Sequence, residues 1–114
     1  MLSLREIHDG LAANLQALDD LVKEAQDAGH NAAITENAYK VGYAKARITI
    51  RATATDKLTV EQVEAEATVA TRDEQLAFLL AQNQLTIVRE SLRATQSKVD
   101  AYRTLAASFR NAGG

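Results

Sequence analysis

With 114 residues and a formal charge of −2, the chain has room for one domain with one modest core. It contains no cysteine, which excludes a disulfide framework and thiol chemistry, and aromatics make up only 4% of it against a hydrophobic fraction of 46%, so the apolar surface is broad but shallow. No run approaches the ~18 uninterrupted apolar residues of a membrane span, and Met1–Glu6 has no basic stretch leading into an apolar one, so a soluble, cytoplasmic protein without a secretory leader is expected.

From the start of the chain, Ser3-Leu4-Arg5-Glu6 has the form of a capping box and opens a helix. Leu4, Ile7, Leu11, Leu15, Leu18, Val22 and Ala25 follow at steps of three and four, one apolar stripe, and Gly29 is the expected C-cap, giving a first helix over about residues 3–28. Gly10 lies inside this helix at a cost of about 1 kcal/mol relative to alanine, so fraying of the first two turns is expected. His8 and His30 lack companions at metal-ligand spacing, and no metal site is expected.

Asn31 or Thr35 is the expected cap of a second helix over about 32–53, with Ile34, Ala38, Val41, Ala44 and Ile48 on one face. Ala38, Gly42 and Ala46 form a small-residue stripe suited to a close helix crossing. Tyr39 and Tyr43 share another face, amid Lys40, Lys45, Arg47 and Arg51. Aromatic rings among cations can stack bases while the charges hold phosphates. Equally, the two tyrosines can be core or interface residues with their hydroxyls at the rim. Ile48–Thr55 alternates like a strand but has no evident partner, so it reads as the end of this helix and a connecting loop.

Thr59-Val60-Glu61-Gln62 is a second capping box, and it launches a helix over about 59–111 that folds back on the second as an antiparallel pair. Its early part carries Val63, Ala67, Ala70, Ala77 and Ala81 on a small apolar stripe, and Leu76–Leu80 makes it apolar nearly all round. Its later part places Leu85, Val88, Leu92, Thr95, Val99, Tyr102, Ala106 and Phe109 at alternating steps of three and four, the repeat that keeps one seam on a partner helix. Leu85, Val88, Leu92, Val99, Tyr102 and Phe109 are therefore the expected contacts of a homo-oligomer. The fold class is all-α: a helical hairpin plus one long C-terminal helix, coiled-coil-like and oligomeric.

The small net charge hides four blocks. Residues 1–36 hold two basic and seven acidic side chains (−5), 37–57 five and one (+4), 58–88 one and five (−4), and 89–114 five and two (+3). Two readings stand: the blocks balance one another between neighbouring helices or subunits, or the basic ones converge on a face that binds a polyanion. Catalysis has no motif behind it. There is no glycine-rich phosphate loop and no nucleophile placed with a histidine and an acid, so neither an enzyme nor a cofactor is expected.

Three stretches together resemble a known family: the basic helix Tyr39-Lys40-Val41-Gly42-Tyr43-Ala44-Lys45-Ala46-Arg47, then Thr59-Val60-Glu61-Gln62-Val63-Glu64-Ala65, and last Leu92-Arg93 with Val99-Asp100-Ala101-Tyr102-Arg103-Thr104-Leu105. In order and size they resemble the UvsY-like recombination mediators of bacteriophages, over about residues 36–110. The resemblance implies a closed assembly of identical subunits in the host cytoplasm that binds single-stranded DNA and helps load a recombinase in place of the single-strand-binding protein, with Lys40, Lys45, Arg47 and Arg51 on the DNA path. This chain is net acidic, whereas such mediators tend to be basic. The competing expectation is a structural or adaptor coiled coil, such as a virion or assembly component, whose charge blocks set subunit register and which binds no nucleic acid.

Overall fold

A computed structural model describes residues 2–113. The elements are α1 (Leu4–Thr53), α2 (Val60–Ala70) and α3 (Arg72–Gly113), and no strand occurs among the described residues. The chain divides into two compact units, one of Met1–Asp27 with Thr86–Gly114 and one of Ala28–Leu85.

Two of the three expected helix starts are in place. The Ser3 Oγ accepts the Glu6 N–H at 3.1 Å. At α2 the box is complete: Thr59 Oγ1 accepts the Gln62 N–H at 3.2 Å, and Gln62 Oε1 accepts the Thr59 N–H at 2.9 Å. The expected stop at Gly29 is not. α1 runs through Gly29, His30 and Asn31 without interruption, and no glycine among the described residues has the positive φ of a C-cap. Thr35 likewise caps nothing, since its hydroxyl donates back to the carbonyls of Asn31 (2.8 Å) and Ala32 (3.1 Å), as in a helix interior. Packing explains the continuity. Ala28 and Ala32 are buried and Thr35 half-buried in one unbroken stripe, and ending the helix at Gly29 would strip that face of its register for a saving of about 1 kcal/mol.

The expected long helix is instead divided at Thr71, which is buried, with φ −111° and ψ 19°. Its hydroxyl donates to the Ala67 carbonyl at 2.7 Å, beside its own N–H at 3.0 Å. Such i−4 bonds often accompany a bend, but Thr35 makes the same bond in unbroken α1, so the distinguishing feature of Thr71 is its burial with a non-helical φ and ψ. The bend resets the phase: Val63, Ala67 and Thr71 face inward at steps of four, and after it Gln75, Phe78 and Ala81 do so at steps of three. Ala70 and Ala77 are thereby exposed, contrary to the expected stripe, while Val63, Ala67 and Ala81 are buried as expected.

In the unit of Ala28–Leu85, α1 lies antiparallel to α2 and the start of α3 across a seam in which small side chains are interspersed with Tyr39, Val63, Phe78 and Leu85. A Cβ on Gly42 would meet Thr71 Cγ2 at 3.8 Å, and one on Gly29 would meet Leu85 Cδ1 at 3.9 Å. Gly42 and Ala46 turn toward the seam, but Ala38 is exposed, so only part of the expected small-residue stripe serves the crossing. The other unit pairs the start of α1 with the end of α3, also antiparallel, around Ile7, Val88, Val99 and Ala106. Here α1 presents Ile7, Leu11, Asn14, Leu18, Leu21 and Ala25, leaving Leu15 37% and Val22 42% exposed where both were expected inside. The reason is Gly10: the end of the Tyr102 ring occupies the space of its missing side chain, with ring atoms 2.5 and 2.6 Å from where a Cβ would stand, and this draws the Gly10–Asn14 flank to the seam. Asn14 Nδ2 donates to the Gly10 carbonyl at 2.7 Å. The turn at Gly10 is helical and holds the ring.

Candidate nucleic-acid interface

The cations expected on a DNA path all project from α1, but helical spacing separates them. Lys40, Arg47 and Arg51, with Ala44 between, stand at steps of four, three and four and form one stripe. Lys45 stands on a different one, with Val41 and Ile48. Lys40 is paired with Glu36 at 2.7 Å, both side chains well exposed. Arg51 and Lys45 are exposed as well, whereas Arg47 is half-buried and its Nε is buried with no hydrogen-bond partner among the described residues. A shallow groove lined by Ala44, Arg47, Ile48 and Arg51 runs beside it.

The tyrosines take different parts. Tyr39 turns into the seam and stacks on Phe78, with centroids 6.1 Å apart and planes at 23°, so it is a packing residue and does not offer a platform to a base. Tyr43 meets Tyr39 edge-on at 6.3 Å, and the Arg47 guanidinium lies 6.0 Å from the Tyr43 ring centroid, within range of a cation–π contact. Phe78, Tyr39, Tyr43 and Arg47 thus form a ladder leading from the seam to the basic stripe. Phe78 was not singled out as part of this site; the apolar run around it gave no sign of which side chain faces α1.

The expected oligomer seam requires correction. Val88 and Val99 are buried within their own unit, Tyr102 is seated on Gly10, Leu85 lies beside Gly29 and Leu92 is half-buried. The seam is covered by α1 of the same chain, and of the six only Phe109, at 37%, stays exposed. Coiled-coil spacing reports that a helix partner exists and carries no mark of which chain supplies it.

The charge blocks oppose one another inside each unit. In one, residues 1–27 carry two basic and six acidic side chains (−4) and face 86–114 with five and two (+3); in the other, 28–53 carry four and one (+3) and face 60–85 with one and five (−4). The single ion pair within 4 Å among the described residues is Glu36–Lys40, within α1, so the complementarity between helices acts at longer range. Among the described residues no group of three or more acidic or histidine side chains is placed to hold a metal ion, and no helix is long and apolar enough to cross a membrane. Compared with known proteins, the chain matches no family model, no curated sequence and no solved structure.

Proposed function

We propose that this protein is an accessory protein of the recombination-mediator type: a non-enzymatic helical hairpin that works as an assembly of copies in the cytoplasm, that of the host if it is phage-encoded. It holds single-stranded DNA along the α1 basic stripe and assists a recombinase in displacing a single-strand-binding protein. The observation that supports this reading is the Lys40–Arg47–Arg51 stripe, in which Arg47 keeps a buried Nε without a partner above the Tyr43 ring. Phosphate oxygens would be held by the outward-facing cationic ends of this stripe through charge-assisted hydrogen bonds. The mechanism needs no reaction. Each subunit offers a few weak phosphate contacts, and an assembly multiplies them into tight, salt-sensitive binding of a flexible strand.

The test is fluorescence anisotropy of a labelled oligonucleotide as salt rises. Three contacts per subunit give a slope of log K against log salt of about −2 for each subunit engaged. Arg47→Glu with Arg51→Glu should abolish binding, and binding that survives this pair rejects the site.

A second reading, a structural or adaptor coiled coil that binds no nucleic acid, has its own support in the opposed charges of the paired helices, which account for the basic blocks without a ligand. Light scattering with and without oligonucleotide separates the two: both readings give an assembly, and only the first gives one that gains DNA mass.

A further inference from the structure

The hairpin unit Ala28–Leu85 seats Tyr39, Val63, Phe78 and Leu85 among small side chains in its seam, and leaves other large apolar side chains outside. On α1, Ile34 is 53%, Val41 43% and Ile48 69% exposed. With Ala38, Lys45 and Ala52 they form a stripe at steps of four and three, turned away from the seam. On the opposing helices Val69 is 70%, Leu76 55% and Leu80 60% exposed. With Asp73 they form a second stripe at the same steps, and the i→i−4 bonds of Thr71 and Gln75 carry the ladder across the bend between them. Isolated exposed apolar side chains are ordinary; two rows at coiled-coil spacing are not.

We propose that a second copy of this chain covers these rows, with the α1 stripe of one copy lying on the α2–α3 stripe of the next. Charge selects this arrangement. Each row contains a single ionised side chain, Lys45 in the first and Asp73 in the second. Packing unlike rows sets the lysine row against the aspartate row, whereas packing like on like sets each charge against its twin. Surface area gives a second argument. The chain exposes 8254 Å², whereas a folded monomer of 12.3 kDa exposes about 6,100 Å². The surplus of about 2,000 Å² compares with roughly 800 Å² per partner in a standard interface, enough for both rows of one copy to be covered.

This contact is the assembly on which the proposed function rests, and its test is made without oligonucleotide, so that its outcome is independent of DNA binding. Sedimentation equilibrium at micromolar concentration is expected to give a multiple of the 12.3 kDa chain mass. Val41→Glu with Ile48→Glu, and separately Leu76→Glu with Leu80→Glu, should each yield monomers of unchanged far-ultraviolet circular dichroism. Mixing the two variants should restore a two-chain species, because each retains the row the other has lost. Lys45→Asp should weaken association, and Lys45→Asp with Asp73→Lys should recover it. This exchange leaves every apolar side chain in place and so decides the matter even if the glutamate variants unfold. A monomeric wild type, a glutamate variant that is folded and still assembles, a mixture of folded variants that stays monomeric, or a charge exchange that recovers nothing would each overturn the proposal.

Discussion

Gly10→Ala tests the most specific packing contact in the molecule, because helix propensity and packing predict opposite signs. By propensity alone, alanine inside a helix stabilises by about 1 kcal/mol relative to glycine. The new methyl, however, would stand 2.5 Å from Tyr102 Cζ, 2.6 Å from Cε1 and 2.7 Å from the hydroxyl oxygen, against the roughly 3.5–4.0 Å of a favourable contact. The ring must withdraw by about 1 Å, and overpacking of that kind costs about 1–3 kcal/mol. The expected net effect is a loss of about 1 kcal/mol, or roughly 4–5 °C in Tm for a chain of this length. Tyr102→Phe keeps both offending ring carbons, so it should not rescue the alanine. Tyr102→Leu removes the end of the ring, and in that background Gly10→Ala should stabilise by about 1 kcal/mol, for a coupling of about 2 kcal/mol in a double-mutant cycle. Urea unfolding followed by circular dichroism reads all four corners. An alanine that stabilises the wild type, or a coupling under about 0.5 kcal/mol, would refute the seating of Tyr102 on Gly10.

The other glycines of α1 predict the reverse. Gly29→Ala and Gly42→Ala meet nothing closer than 3.9 and 3.8 Å, so each should raise stability by about 1 kcal/mol in the same assay, and nearly additively. Thr59→Ala removes the acceptor for the Gln62 N–H and should cost about 1 kcal/mol. Phe78→Ala withdraws the half-buried ring stacked on Tyr39; at about half the 3–5 kcal/mol of a fully buried aromatic, the expected loss is about 2 kcal/mol. Glu36→Gln releases Lys40 from an exposed pair worth under about 0.5 kcal/mol, so stability should barely change, while oligonucleotide affinity by anisotropy should rise if the α1 stripe binds DNA.

What the sequence displays and what it hides divide along the line between local and tertiary causes. The box at Thr59–Gln62 is complete within four residues, and its hydrogen bonds form as its residue types require. The run Gly29-His30-Asn31 looks just as local a stop, yet the helix passes through it, because the aligned stripe of Ala28, Ala32 and Thr35 lies beyond any short window. The spacing from Leu85 to Phe109 showed that α3 needs a helix beside it. That the partner is α1 of the same chain depends on the turn at residues 54–59. Tyr39 and Tyr43 are four residues apart and read as equivalent, but only Tyr39 stacks on Phe78, a distinction set by the side of α1 on which the returning helix lies. Thr71 gave no warning of the bend, since the same i−4 hydroxyl bond leaves α1 unbroken at Thr35 and the burial of Thr71 depends on Gly42 across the seam.

The order of the charge blocks ties the fold to the assembly. A chain written negative, positive, negative, positive that reverses direction at residues 54–59 opposes unlike charges in both units, whereas parallel pairing of its first and second halves would set acidic against acidic and basic against basic. Without close ion pairs between the helices the effect is long-range and screened by salt, so it favours one pairing over another more than it adds stability. Each unit is left with a net charge of only −1, seven basic against eight acidic side chains in one and six against seven in the other. One copy therefore meets its own electrostatic needs. Its apolar side chains are divided: Tyr39, Val63, Phe78 and Leu85 join alanine, glycine and threonine in the hairpin seam, while Ile34, Val41, Ile48, Leu76 and Leu80 remain outside. Where Gly42 faces Thr71 the two helices come close, and the larger side chains on the outer faces are the ones that the proposed contact with a second copy would cover.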